Sequence, residues 1–148
     1  MDEIICATRG GEGSRAVQLA AIERAKSSGK RLVFLYVVAP NSMGEVAVPL
    51  QTAVREELIW MGKALLRTAQ QRARMAGLDV KMEIREGRVQ DEICNYIAET
   101  QASLLLLGAP RGSTANVFGD DLVERFAHNI QQSSGIPVEI VRPETIHV

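Results

Sequence analysis

Five apolar runs of strand length alternate along this chain with four segments of helical period, and no other feature narrows the choice of fold as far. The first run is Ile4-Ile5-Cys6-Ala7. A glycine-rich turn over residues 9–13 follows, then a helix opening at Ser14, whose hydroxyl is a natural N-cap. This helix carries Val17, Ala20, Ala21 and Ala25 on one face and stops at Ser28-Gly29. Residues 32–38 form the second run, closed by Ala39-Pro40. After a loop of Asn, Ser, Met, Gly and Pro, the longest helix is expected over residues 52–75. Its stripe reads Val54, Leu58, Met61, Leu65, Ala69, Ala73, widened by Ile59, Trp60 and Leu66, and Gly77 suits its C-terminal cap.

The third run, residues 79–85, alternates Val80, Met82 and Ile84 with Lys81, Glu83 and Arg85. A third helix is expected over residues 89–100, with Ile93, Tyr96 and Ile97 inward. Leu104 to Leu107 make the fourth run, closing at Gly108. A second polar, glycine-containing loop over residues 109–119 leads to a helix expected over residues 120–133, with Leu122, Val123, Phe126, Ala127 and Ile130 inward. The fifth run is Val138–Val141, bracketed by Pro137 and Pro143.

Strands and helices in strict alternation predict a Rossmann-like α/β domain: one open, parallel, five-stranded sheet with right-handed crossovers and helices on both faces. Runs one, two and four are apolar on both sides, so both of their faces must be covered. Run three alternates and run five carries Glu139 between apolar neighbours, so these two belong at the edges. The order 3-2-1-4-5 meets both conditions. It puts the topological switch point between strands one and four, where open α/β sheets bind ligands beyond their strand ends. Both glycine-rich loops land there.

Composition sharpens this frame. The 148 residues are one domain's worth, 46% hydrophobic but only 4% aromatic, so the core is aliphatic. Lys and Arg number 17 against 18 Asp and Glu, a net charge of 17 − 18 = −1. A nucleic-acid backbone demands a basic surplus that the chain as a whole lacks. Cys6 and Cys94 stand far apart with no CxxC or CxxH spacing, and His128 and His147 are the only histidines, so no metal site is expected. Two unpaired thiols fit a reducing compartment. With no leader-like or membrane-length apolar run, a cytoplasmic chain is expected.

Four local phrases give the chain a resemblance to the universal stress protein family over nearly its whole length. They are the opening strand, glycine turn and Ser14; Glu86-Gly87 before the third helix; Ala102-Ser103-Leu104-Leu105-Leu106-Leu107-Gly108; and Gly135-Ile136-Pro137-Val138 with Val141-Arg142. The third is similar to the family's Ala-Asp-Leu-Ile-Val-Met-Gly, the fourth to its Cys-Pro-Val-x-x-Val-Arg. The resemblance implies a family domain over residues 1–143, with residues 144–148 as a tail. It also implies a regulatory stress-response role and a homodimer paired through Val138–Val141, an apolar edge of the kind that must be covered. The protein partner it regulates is not legible.

ATP-binding members of that family carry an Asp after strand one and Gly-x2-Gly-x9-Gly-Ser/Thr after strand four. Glycines let backbone N–H groups approach phosphate, and the closing hydroxyl sits at a helix N-terminus. Here Arg9 stands at the Asp position. Gly108 fits the first motif glycine, the second falls on Arg111 with Gly112 one step late, and Gly119 is followed by Asp120. A carboxylate about 5 Å from phosphate costs roughly 3 kcal/mol per charge at an effective dielectric near 20. Asp120 is, in contrast, a good N-cap for the last helix. The resemblance therefore implies an altered ATP crevice, either lost or still holding ATP or AMP. In the second case the backbone of Gly10, Gly11, Gly112 and Gly119, with Arg9, Gly108, Arg111, Ser113, Thr114 and Asp120 around the phosphates and Val37 at the base, forms the site.

An enzyme reading and a response-regulator-like reading compete. Residues 9–14 also resemble the Ser-Gly-Gly-x-Asp-Ser loop of ATP pyrophosphatases, but only Gly10, Gly11 and Ser14 match. A response regulator requires an acidic pair after strand one and a phosphoacceptor Asp after strand three; the chain has Arg9-Gly10-Gly11 and Arg85-Glu86-Gly87 instead. No nucleophilic or paired-carboxylate arrangement stands out elsewhere, so no catalytic residue is assigned.

Overall fold

The structure is a computed structural model that describes residues 2–8, 14–39, 48–109 and 122–143. Chain order is β1 (Glu3–Ala7), α1 (Ser14–Ser28), β2 (Arg31–Val38), α2 (Val48–Met75), β3 (Lys81–Glu86), α3 (Val89–Thr100), β4 (Leu104–Gly108), α4 (Leu122–Ser134) and β5 (Val138–Val141). The strands form one sheet in the order β3-β2-β1-β4-β5, all pairs parallel. The expected order and the assignment of β3 and β5 to the edges both hold.

Alternation along β1, β2 and β4 sends successive side chains to opposite faces. Ile4, Cys6, Leu32, Phe34 and Leu106 pack under α1 and α2, against Val17, Ala21, Leu66 and Ala69. Ile5, Ala7, Val33, Leu35, Leu105 and Leu107 pack under α3 and α4, against Ile93, Tyr96, Ile97 and Ile130. Helices on both sides are why these strands read as continuous apolar runs.

The structure corrects the longest helix in two ways. It begins at Val48, so Pro49 lies in its first turn, where a missing N–H leaves no hydrogen bond unmade. Its buried stripe is also rotated from the expected one. Met61 is 45% and Trp60 67% exposed, whereas Leu58, Leu66, Ala69 and Ala73 are buried. Gly62 occupies the turn between Leu58 and Leu66 because α2 crosses the Tyr36 ring there, and a Cβ at that position would lie 2.5 Å from Tyr36 Cδ1. Past Met75 the Leu78 N–H donates to Ala73 O at 2.9 Å, and Gly77 closes the helix as expected.

Three smaller differences follow. β3 starts at Lys81 rather than Asp79. Leu122 at the start of α4 is 75% exposed, with Ala127 and Ile130 as that helix's buried residues. The polar side of β3 is covered by α3: Arg85 lies 4.9 Å and Lys81 5.8 Å from the Tyr96 ring centroid, and Arg85 also pairs with Glu83 and Glu99 at 2.8 Å. Among the described residues no helix is long and apolar enough to cross a membrane. Both cysteines are free; Cys6 is fully buried, and burial pushes its thiol upward, away from the thiolate.

Candidate functional site

The C-terminal edge of the sheet is notched at its middle strand. Ala7, the last residue of β1, is in register with Leu35 of β2 and Leu107 of β4. β2 continues through Tyr36, Val37 and Val38, paired to β3, while β4 continues to Gly108, paired to Val141 of β5. The sheet edge is therefore recessed at β1, with the buried Thr8 next in the chain, the end of β2 on one side and Gly108 on the other. This is the switch point of the strand order.

Strong backbone bonds hold the rim. Thr8 N–H donates to Leu35 O at 2.8 Å, Ala109 N–H to Val141 O at 3.0 Å and Gly87 N–H to Val38 O at 2.9 Å. Gly87 adopts φ +148°, and a Cβ there would press on the Glu92 side chain, so the turn leaving β3 favours glycine.

Below the rim lies a polar relay that the sequence reading missed. Thr8 and Gln18 are the buried polar residues of the described chain, each 1% exposed. Gln18 Nε2 donates to Thr8 Oγ1 at 2.8 Å and to Ser14 Oγ at 3.1 Å. Its Oε1 accepts from Arg72 Nη1, which reaches across from α2. Both amide hydrogens and the carbonyl of Gln18 are thus engaged, and the end of β1 is tied to α1 and through it to α2. With the amide donating, the hydroxyls of Thr8 and Ser14 act as acceptors toward Gln18. The available signal was periodicity: Gln18 falls on the line of Ala21, Ile22 and Ala25, a polar residue on an apolar stripe. Ser14, expected to cap α1, begins that helix and uses its Oγ to hold Gln18.

Of the expected site residues, the fold brings Val37 and Gly108 to the rim, on the two strands flanking β1. Val37 is half-buried and packs toward the α3 side, an apolar surface suited to a flat ring. Arg9, Gly10, Gly11, Arg111, Gly112, Ser113, Thr114, Gly119 and Asp120 lie outside the described residues. Among the described residues no group of three or more His, Cys, Asp or Glu side chains is placed to hold a metal ion.

The sequence profile of the universal stress protein family matches residues 1–142. The chain belongs to that family. Solved structures of family members share its fold at low identity. Universal stress protein UspA from Lactobacillus plantarum aligns with a TM-score of 0.78, at 18% identity over 95% of this chain and 97% of its own. A universal stress protein solved in complex with cAMP aligns at 0.65, with 24% identity, over 95% and 96%. One from Archaeoglobus fulgidus in complex with dAMP aligns at 0.66, with 16% identity, over 95% and 97%. No curated protein matches the sequence. Val37, Gly108 and the buried relay all lie at the C-terminal ends of β1 and its two neighbouring strands.

Proposed function

We propose that this universal stress protein is a dimeric regulatory module, cytoplasmic, whose recess binds an adenosine monophosphate in preference to ATP. The notch beyond β1 carries the reading: an apolar rim at Val37, backbone at Gly108, and a floor anchored by Thr8–Gln18–Arg72. Relatives solved with cAMP and dAMP support the ligand class. Preference for one phosphate follows from charge. Asp120 replaces the motif hydroxyl, and each added phosphate charge about 5 Å from it costs roughly 3 kcal/mol at a dielectric near 20. A monophosphate carries fewer charges to be repelled, so the altered site retains the nucleoside and sheds the triphosphate. Binding, and not turnover, is the activity.

The adenine ring lies against Val37, and the phosphate is met by backbone N–H groups near Gly108 with Arg111 and Ser113 beyond. Assembly is through β5, whose four residues are all only half-buried and whose apolar edge is open on one side. Purified protein, denatured and chromatographed, is expected to release AMP or a cyclic or deoxy analogue. Release of ATP contradicts the phosphate preference. Light scattering at micromolar concentration gives twice the 16.2 kDa chain mass if β5 pairs; a monomer contradicts the dimer.

A further inference from the structure

The outer face of α2 departs from the rest of the surface in its charge. Elsewhere the exposed arginines are mostly tied: Arg24 to Glu139 at 3.0 Å, Arg55 to Glu86 at 2.6 Å, Arg85 to Glu83 and Glu99, Arg88 to Asp91 at 3.7 Å. Between Glu57 and Asp79 the chain has no carboxylate at all, while Lys63, Arg67, Arg72 and Arg74 fall in that stretch. Arg72 turns inward to Gln18. Lys63, Arg67 and Arg74 face solvent, and their side chains make no hydrogen bond or ion pair among the described residues. The helix dipole favours a cation at Arg74 in the last turn, but its effect fades within one turn and does not reach Lys63 or Arg67.

These cations are aligned. Trp60, Arg67 and Arg74 repeat every seven residues and therefore lie along one line of the helix, with Lys63 and Gln70 on the adjacent line. An open groove of about 600 Å³ runs between Arg67, Gln70, Gln71, Arg74 and Met75. Met75, 84% exposed, lines it, and Trp60, 67% exposed, stands two turns N-terminal to Arg67, about 22 Å from Met75 at 1.5 Å per residue. Apolar anchors at both ends of a cationic line at heptad spacing are complementary to a second helix of four turns carrying carboxylates.

We infer that the outer face of α2 from Trp60 to Met75 is a docking surface for an acidic amphipathic helix of a partner protein. A second copy of this chain does not suit it, because a twofold contact centred on this face sets the cationic line of one copy against the same cationic line of the other. A nucleic acid suits it less well, since a single straight line of cations on a chain of net charge −1 offers no path for a curved polyanion. The surface also lies over β2 and β3, at the opposite end of the sheet from the β5 edge proposed for the dimer, so both contacts are compatible.

Trp60 is the chain's single tryptophan, so its emission reports occupancy directly. The test titrates the full chain with a synthetic three-heptad helix bearing leucine at the a and d positions and glutamate at e and g. Controls are the same peptide with lysine for glutamate, a single-stranded DNA oligomer, and phosphatidylserine vesicles. The glutamate peptide is expected to shift Trp60 emission to the blue, with affinity that falls as salt rises. Arg67→Glu with Arg74→Glu should weaken it at least about tenfold, and Arg67→Gln with Arg74→Gln by less, with circular dichroism unchanged. No shift with the glutamate peptide overturns the proposal, as does equal binding by the charge-reversed variant. Tighter binding of the DNA or the vesicles than of the peptide also overturns it.

Discussion

The two ends of β1 are built on opposite rules. At its C-terminal end the buried polar atoms are all engaged, with Gln18 linking Thr8, Ser14 and Arg72. At its N-terminal end Glu3 Oε2 and the Tyr96 hydroxyl are buried without a hydrogen-bond partner among the described residues. Tyr96 is held there by its ring, packed in the core and covered by Arg85 and Lys81, and not by its oxygen. A satisfied network in low dielectric fixes one arrangement, whereas an unpaired polar atom only adds cost. The contrast locates the fully satisfied buried polar network at the C-terminal end, the side of the proposed ligand site, while the N-terminal end carries partly exposed ion pairs such as Lys30–Asp2 and Arg31–Glu3.

Breaking the relay gives the largest effect. Gln18→Leu leaves Thr8 and the Arg72 guanidinium without their partner and is expected to lower stability by about 2–3 kcal/mol in urea unfolding. It should also weaken AMP binding, since the floor of the recess loses its tie to α1 and α2. A variant as stable as the parent shows that the relay does not hold the C-terminal end.

Alkaline titration is the next way to sharpen the contrast. Burial raises the Tyr96 phenol above its ordinary range, with Lys81 pulling the other way, and burial raises the Cys6 thiol as well. A group protonated more tightly in the folded state contributes stability below its unfolded pKa and loses it as pH climbs toward the folded value. Melting temperature should therefore fall once pH passes about 9–10, the unfolded range for these groups. Tyr96→Phe should reduce that fall, and a pH profile identical to the parent's contradicts the burial of the phenol. The smallest effect belongs to the same substitution at neutral pH. Removing a hydroxyl that has no partner is expected to change stability by less than about 0.5 kcal/mol.

Much of this architecture was legible because one physical signal dominated. The α3 boundaries and the 3-2-1-4-5 order follow from apolar patterning alone, since a strand covered on both faces leaves no place for alternation. Where two signals compete, reading fails. Apolar character alone favours Met61 on the buried side of α2, yet helix-to-sheet approach over Tyr36 demands the smaller Gly62 beside it. Gln18 shares the period of the core, but its burial depends on partners, Thr8 and Arg72, that lie on other elements. At the site, Val37 and Gly108 were placed by topology, while the choices made within the two glycine-rich loops rest on family motifs.

The recess is proposed to prefer one phosphate to three. Calorimetric titration of the full chain with AMP and with ATP, on the parent and on Asp120→Ser, tests this preference. The parent is expected to bind AMP more tightly than ATP, and Asp120→Ser to narrow the gap by strengthening ATP. Equal or tighter ATP binding by the parent, or no binding of either nucleotide, contradicts it.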